Sequence, residues 1–111
     1  MNDIFSLVNE AKSAIEEKKG IDIKILDIQG LSPLADYFLI ASGTNSNQLQ
    51  AMADEVSEKL SKHGCHPKQT EGYQGGSWIL MDYGDFMIHL FKTDAREFYN
   101  LEKIWRDAKT V

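Results

Sequence analysis

Two strongly apolar runs, Trp78-Ile79-Leu80-Met81 and Phe86-Met87-Ile88-His89-Leu90-Phe91, flank a short segment made of Asp82, Tyr83, Gly84 and Asp85. No other stretch limits the fold as strongly. Apolar runs on either side of a glycine-bearing turn predict a β-hairpin, with strands over 77–82 and 85–92. Both strands are apolar enough to belong to a core, so the acidic, aromatic turn sits on rigid scaffold, where binding or catalytic side chains are commonly carried.

The rest of the chain supplies the partners for that hairpin. Ile4, Leu7, Val8, Ala11 and Ile15 recur at helical spacing, and Gly20 follows a charged last turn, which predicts a helix over 4–19. Ile21, Ile23 and Ile25 alternate with polar residues before Leu26 and Ile28 shift phase, so this strand is buried on both faces or carries a bulge. Pro33 marks a loop, and 37–42 reads as the next strand. The segment 43–47 offers several N-cap residues for a helix with the apolar stripe Leu49, Met52, Ala53, Val56 and Leu60, ended by Gly64. A short strand is expected within 67–72. Thr93 or Asp94 is expected to cap a last helix with Phe98, Leu101, Trp105 and Ala108 on one face. This order predicts an α/β sandwich, a single domain over residues 1–111, with one mixed sheet of about five strands flanked by three helices.

A chain of 111 residues, 42% hydrophobic and 26% charged, can bury a core without disulfides or metal. No apolar run approaches the roughly 20 residues of a membrane-spanning helix. The single cysteine, Cys65, favours a reducing compartment. The amino terminus opens into an amphipathic helix rather than a signal or transit peptide, so a cytoplasmic, bacterial setting is expected.

The net charge is -5, and no Lys or Arg occurs from Ile25 to Glu58 or from Gln69 to Phe91. Recognition of a phosphate backbone needs clustered cations, so these blocks argue against nucleic-acid binding through the middle of the protein. They suit a basic protein partner. Charge alone is also explained by solubility, and by itself favours that plainer reading.

Chemical constellations are weak. The segment 43–46 at a strand-to-helix junction could cradle an anion, but lacks a P-loop lysine, and a helix cap is the simpler reading. His63, Cys65 and His66 match no standard zinc spacing. Asp82 and Asp85 resemble a paired-carboxylate metal site, with Ser42 and Gly43 as phosphate holders, yet they straddle a turn and are better explained by turn chemistry. Most aromatic rings must be core, whereas Trp78 and Tyr83 sit beside glycines and carboxylates and read as interface anchors. No cofactor is expected.

Taken together, 32–38, Ser42-Gly43-Thr44, Glu71-Gly72, 78–85 and 96–102 with Trp105 resemble the ribosomal silencing factor family, also called Iojap, in order and spacing over almost the whole chain. The resemblance implies a nucleotidyltransferase-like α/β fold without a demonstrated transferase site. It also implies binding to large-subunit ribosomal protein fourteen and steric blockage of small-subunit joining when nutrients are scarce. On this reading the chain is not an enzyme. Trp78, Leu80 and Tyr83 would be buried against the partner while Asp36, Asp82 and Asp85 meet its cations. The alternative is a degenerate nucleotidyltransferase using Asp82 and Asp85 with a divalent ion. The unbound protein could also pair with a second copy through the hairpin or an adjacent edge strand.

Overall fold

The computed structural model describes residues 3–33, 35–100, 103, 106 and 108–111, with the side chains of 98 and 99 outside that description. The elements run α1 (Ile4–Glu17), β1 (Ile21–Asp27), β2 (Tyr37–Gly43), α2 (Ser46–Ser61), β3 (Gln69–Glu71), β4 (Trp78–Asp82), β5 (Phe86–Lys92), α3 (Thr93–Tyr99) and β6 (Lys109–Thr110). All strands join one mixed six-stranded sheet in the order β3-β4-β5-β2-β1-β6. Only β2 and β5 pair in parallel; the other neighbours are antiparallel. The α/β sandwich is therefore as expected, and β6 is a short strand that its two-residue length concealed in the sequence.

Side chains alternate across a strand, and the sheet is covered unevenly. Against one face α1 and α2 pack Leu7, Val8, Ala11, Ile15, Leu49, Met52, Val56 and Leu60 onto Ile25, Leu39, Ala41, Ile79, Met81, Ile88 and Leu90. On the other, α3 lies against β2 and β5, and Ala95 joins a smaller cluster with Leu26, Ile28, Phe38, Ile40 and Phe91. The central strands β2 and β5 are accordingly buried on both faces, while β4 alternates strictly between half-buried and buried residues. The second face of β4 is thus left partly open.

The element ends follow local chemistry. Asp3 Oδ1 accepts from Ser6 N at 2.8 Å to cap α1, and Asn45 Oδ1 accepts from Gln48 N at 2.8 Å to cap α2. Past α1 the left-handed residue is Lys19, at φ 64°, rather than Gly20. Gly20 is needed for a different reason: a Cβ there would overlap the Ile15 side chain. At Ile25 and Leu26 β1 is buried on both faces, one of the two readings of its phase shift, and a register slip with β2 lies earlier, between Ile21 and Lys24. The helix α3 starts from Lys92 without a side-chain cap, because the Thr93 hydroxyl donates to Gly43 O at 3.2 Å and Asp94 accepts from the adjacent Ala95 amide. It closes at Asn100 in the left-handed conformation. Of the expected last-helix stripe, Ala108 lies past α3, outside any helix, and packs against the smaller cluster, while Leu101 and Trp105 and the side chain of Phe98 lie outside the described residues.

Candidate partner-docking face

The open end of the sheet is built by strand parity. Trp78 lies opposite Phe91, Leu80 opposite His89 and Asp82 opposite Met87, all on the side away from α1 and α2. Trp78, Leu80 and Met87 are half-buried there and form a short apolar strip. One strand further out, the exposed Glu71 pairs with Leu80 and the exposed Gln69 with Asp82, so the strip has a polar, acid-bearing rim. An apolar centre ringed by polar groups is the anatomy of a protein-binding patch.

The indole is firmly held. Its ring stacks on Phe91 at 5.0 Å between centroids, and Trp78 Nε1 donates to His89 Nδ1 at 3.2 Å. His89 is 5% exposed, and burial alone lowers its pKa from 6.5 to about 4, so the ring is neutral near pH 7.

At the hairpin tip Asp82 Oδ1 accepts from Gly84 N at 2.8 Å, while Gly84 adopts φ 87°, which a residue with a side chain rarely takes. Asp85 is exposed at the tip, and its carbonyl accepts from Asp36 N at 2.7 Å, which brings half-buried Asp36 beside the turn. The fold also delivers a cation: Lys68 N donates to Asp82 O at 2.7 Å and its side chain lies over Gly84. Lysine-free in sequence, the hairpin turn is not lysine-free in space.

Tyr83 does not reach the docking face. Strand alternation carries its ring to the helix-covered side, where it is 6% exposed and stacks on Phe86 at 4.9 Å. Burial pushes the phenol pKa far above its ordinary value. The expectation of a surface anchor at Tyr83 is therefore corrected. Its odd-numbered parity with Ile79 and Met81 was the available signal.

A family model described as ribosomal silencing factor during starvation matches residues 2–111. The chain belongs to the ribosomal silencing factor family. A Bacillus subtilis ribosomal silencing factor is 42% identical over 103 residues, covering 93% of this chain and 87% of that protein. The crystal structure of a Chromobacterium violaceum protein superposes with a TM-score of 0.91 at 33% identity, covering 94% of this chain and 87% of that one. A more distant mouse relative, named mitochondrial assembly of ribosomal large subunit protein 1, is 30% identical and matches 84% of this chain but only 42% of its own length.

The other constellations are absorbed by this silencing-factor fold. In the 43–46 loop, Thr44 N donates to Gln48 Oε1 at 2.7 Å, and Gln48 Nε2 reaches the Lys18 and Lys19 carbonyls, so the amides serve a cap and a helix-to-helix tie. Ser42 is buried and accepts from Arg96 Nη1 at 3.0 Å instead of facing a phosphate. Cys65 packs against the helix-side core, and burial, with the Asp85 charge adding to it, pushes its thiol pKa up, which disfavours a nucleophile. Among the described residues no group of His, Cys, Asp or Glu gathers as a metal site would, and no helix is long and apolar enough to cross a membrane. Two residues missed in sequence matter here, His89 and Arg96. A histidine in an apolar strand and an arginine on a charged helix give no sign of burial until strands and helix are packed.

Proposed function

We propose that this chain binds the large ribosomal subunit through large-subunit ribosomal protein fourteen and prevents the small subunit from joining, acting as a steric block in the bacterial cytoplasm and not as an enzyme. The observation that carries this reading is the apolar strip of Trp78, Leu80 and Met87, half-open on a rigid sheet and rimmed by carboxylates. A rigid apolar centre provides desolvated contact, and the acidic rim of Glu71, Asp82, Asp85 and Asp36 selects a basic partner and speeds its approach. The family name and the large-subunit wording of the mouse relative's name support the large ribosomal subunit as the target.

The test is a sedimentation profile of purified large subunits with and without the protein, followed by small subunits. The protein should co-sediment with large subunits and reduce the full-ribosome peak, and Trp78→Ala should restore it. Full ribosomes assembling normally with the protein saturating large subunits overturn the reading.

Unbound, the same strip and the exposed edge strand β3 are where a second copy would pair. Dilution should then raise apparent anti-association activity. The transferase alternative is less well supported, because one Asp82 oxygen already holds the turn.

A further inference from the structure

We propose that His89 is a positioning residue, which fixes the Trp78 indole in the orientation that docks; this rests on the docking reading given above. The two side chains are diagonal neighbours on adjacent strands, since Trp78 faces Phe91 and His89 faces Leu80. The imidazole is walled in: Phe38 meets its face edge-on at 4.7 Å, Phe91 lies parallel at 6.2 Å, and the indole sits at 5.8 Å. Trp78 itself is half-buried, so its outer part is what a partner meets.

The hydrogen bond between them has a fixed direction. An indole N–H can only donate, so His89 Nδ1 must present its lone pair and the ring proton sits on Nε2. Nε2 is buried and meets no acceptor among the described residues. A leucine or phenylalanine would avoid the unmatched Nε2–H but would leave the part-buried indole N–H without its acceptor, so the histidine is explained by the indole it receives from and not by its own burial. What the histidine adds is a single acceptor aimed at the indole nitrogen. With the ring stacked on Phe91 and its N–H tethered, the half-exposed indole has little rotamer freedom left to lose on binding, which is how preorganisation raises affinity.

The test combines two readouts on the 111-residue chain. The first is the indole ¹H–¹⁵N resonance of Trp78, assigned by its loss in Trp78→Phe. The second is affinity for purified large subunits. His89→Phe keeps the stacked ring and removes the acceptor; it should shift the Trp78 resonance upfield and weaken binding by about tenfold. His89→Asn, whose Oδ1 reaches the Nδ1 position, should recover much of both. An unmoved resonance in His89→Phe, or unchanged affinity in His89→Phe where Trp78→Ala binds poorly, overturns the proposal. If Trp78→Ala itself binds normally, the docking reading falls and the role of His89 with it, although the resonance still reports the hydrogen bond. Long-range imidazole ¹H–¹⁵N spectra of the unmodified protein are independent of any variant: they should show the Nε2–H tautomer, and an Nδ1–H signal overturns the proposal.

Discussion

Arg96, a buried residue of α3, holds the backbone of Asp22 in place at the register slip of β1. Its Nη1 donates to the carbonyl of Asp22 and to Ser42 Oγ, and Nη2 lies 3.6 Å from Asp22 Oδ2. Asp22 has φ 52°, a left-handed conformation, at the point where the register of β1 with β2 slips. One guanidinium thus satisfies the polar groups that the irregular pairing would leave unmatched.

Removing that guanidinium should destabilise the fold strongly. Arg96→Met is expected to lower the unfolding free energy by about 3 kcal/mol in urea denaturation, since the buried Ser42 hydroxyl and the part-buried Asp22 carbonyl lose a charged donor. Asp22→Asn tolerates the same backbone and removes only an ion pair whose carboxylate is 60% exposed. It should cost less than about 1 kcal/mol. Equal losses in the two variants would contradict this division.

Gly72 adopts φ 77°, and a Cβ there would overlap the carbonyl oxygen of Trp78, whereas at Gly30, φ 81°, it would meet open space. Gly72→Ala should therefore cost several kcal/mol and also weaken large-subunit binding, because the strand that carries the indole must move. Gly30→Ala should cost only about 1 kcal/mol, measured by thermal or urea unfolding.

Stability should fall with acid in a window set by His89. Its pKa is lowered from 6.5 to about 4 by burial, so below pH 6.5 the unfolded chain takes up a proton that the folded chain refuses. The stabilisation is complete above about pH 6.5 and is lost as pH falls to about 4, a total of roughly 3 kcal/mol. The measurement is the difference in urea unfolding between the unmodified protein and His89→Phe from pH 7 to 5, and parallel curves would refute it.

Asp85→Lys tests the acidic rim without disturbing the turn, because this side chain is exposed and Asp82 makes the Gly84 contact. Large-subunit affinity should fall and its dependence on salt should flatten, with unchanged unfolding. An affinity and salt slope equal to those of the parent would remove Asp85 from the interface.

Calorimetric titration with magnesium and nucleoside triphosphates should give no binding heat. Millimolar or tighter binding that disappears in Asp85→Ala would revive the transferase alternative.

Much of this was legible in the residues themselves. The α2 stripe of Leu49, Met52, Ala53, Val56 and Leu60 is wholly buried, and Asn45, within the expected run of caps, caps the helix. The hairpin appears within a residue of its expected bounds, and the carboxylate of Asp82 serves its turn. These are signals of period and of local hydrogen bonding, each contained within a few residues. The Tyr83 expectation erred because composition around a turn was weighed above strand parity. Of the two readings of the phase shift at Leu26, burial on both faces holds, since Ile25 and Leu26 are both buried, whereas the register slip lies earlier, between Ile21 and Lys24, where Arg96 from far along the chain meets the Asp22 carbonyl.

By itself the sequence determined the first two helices, the hairpin, the two-faced burial late in β1 and the acid-rich character of the chain, because side-chain period and turn chemistry act over short distances. Only the tertiary structure decided that the second face of β4 stays half-buried, that Lys68 lies over the acidic turn, and that the indole N–H of Trp78 donates to His89. Those relations depend on strand register and on which face each helix covers, and such pairings arise from packing between segments that carry no mark of one another in their own residues.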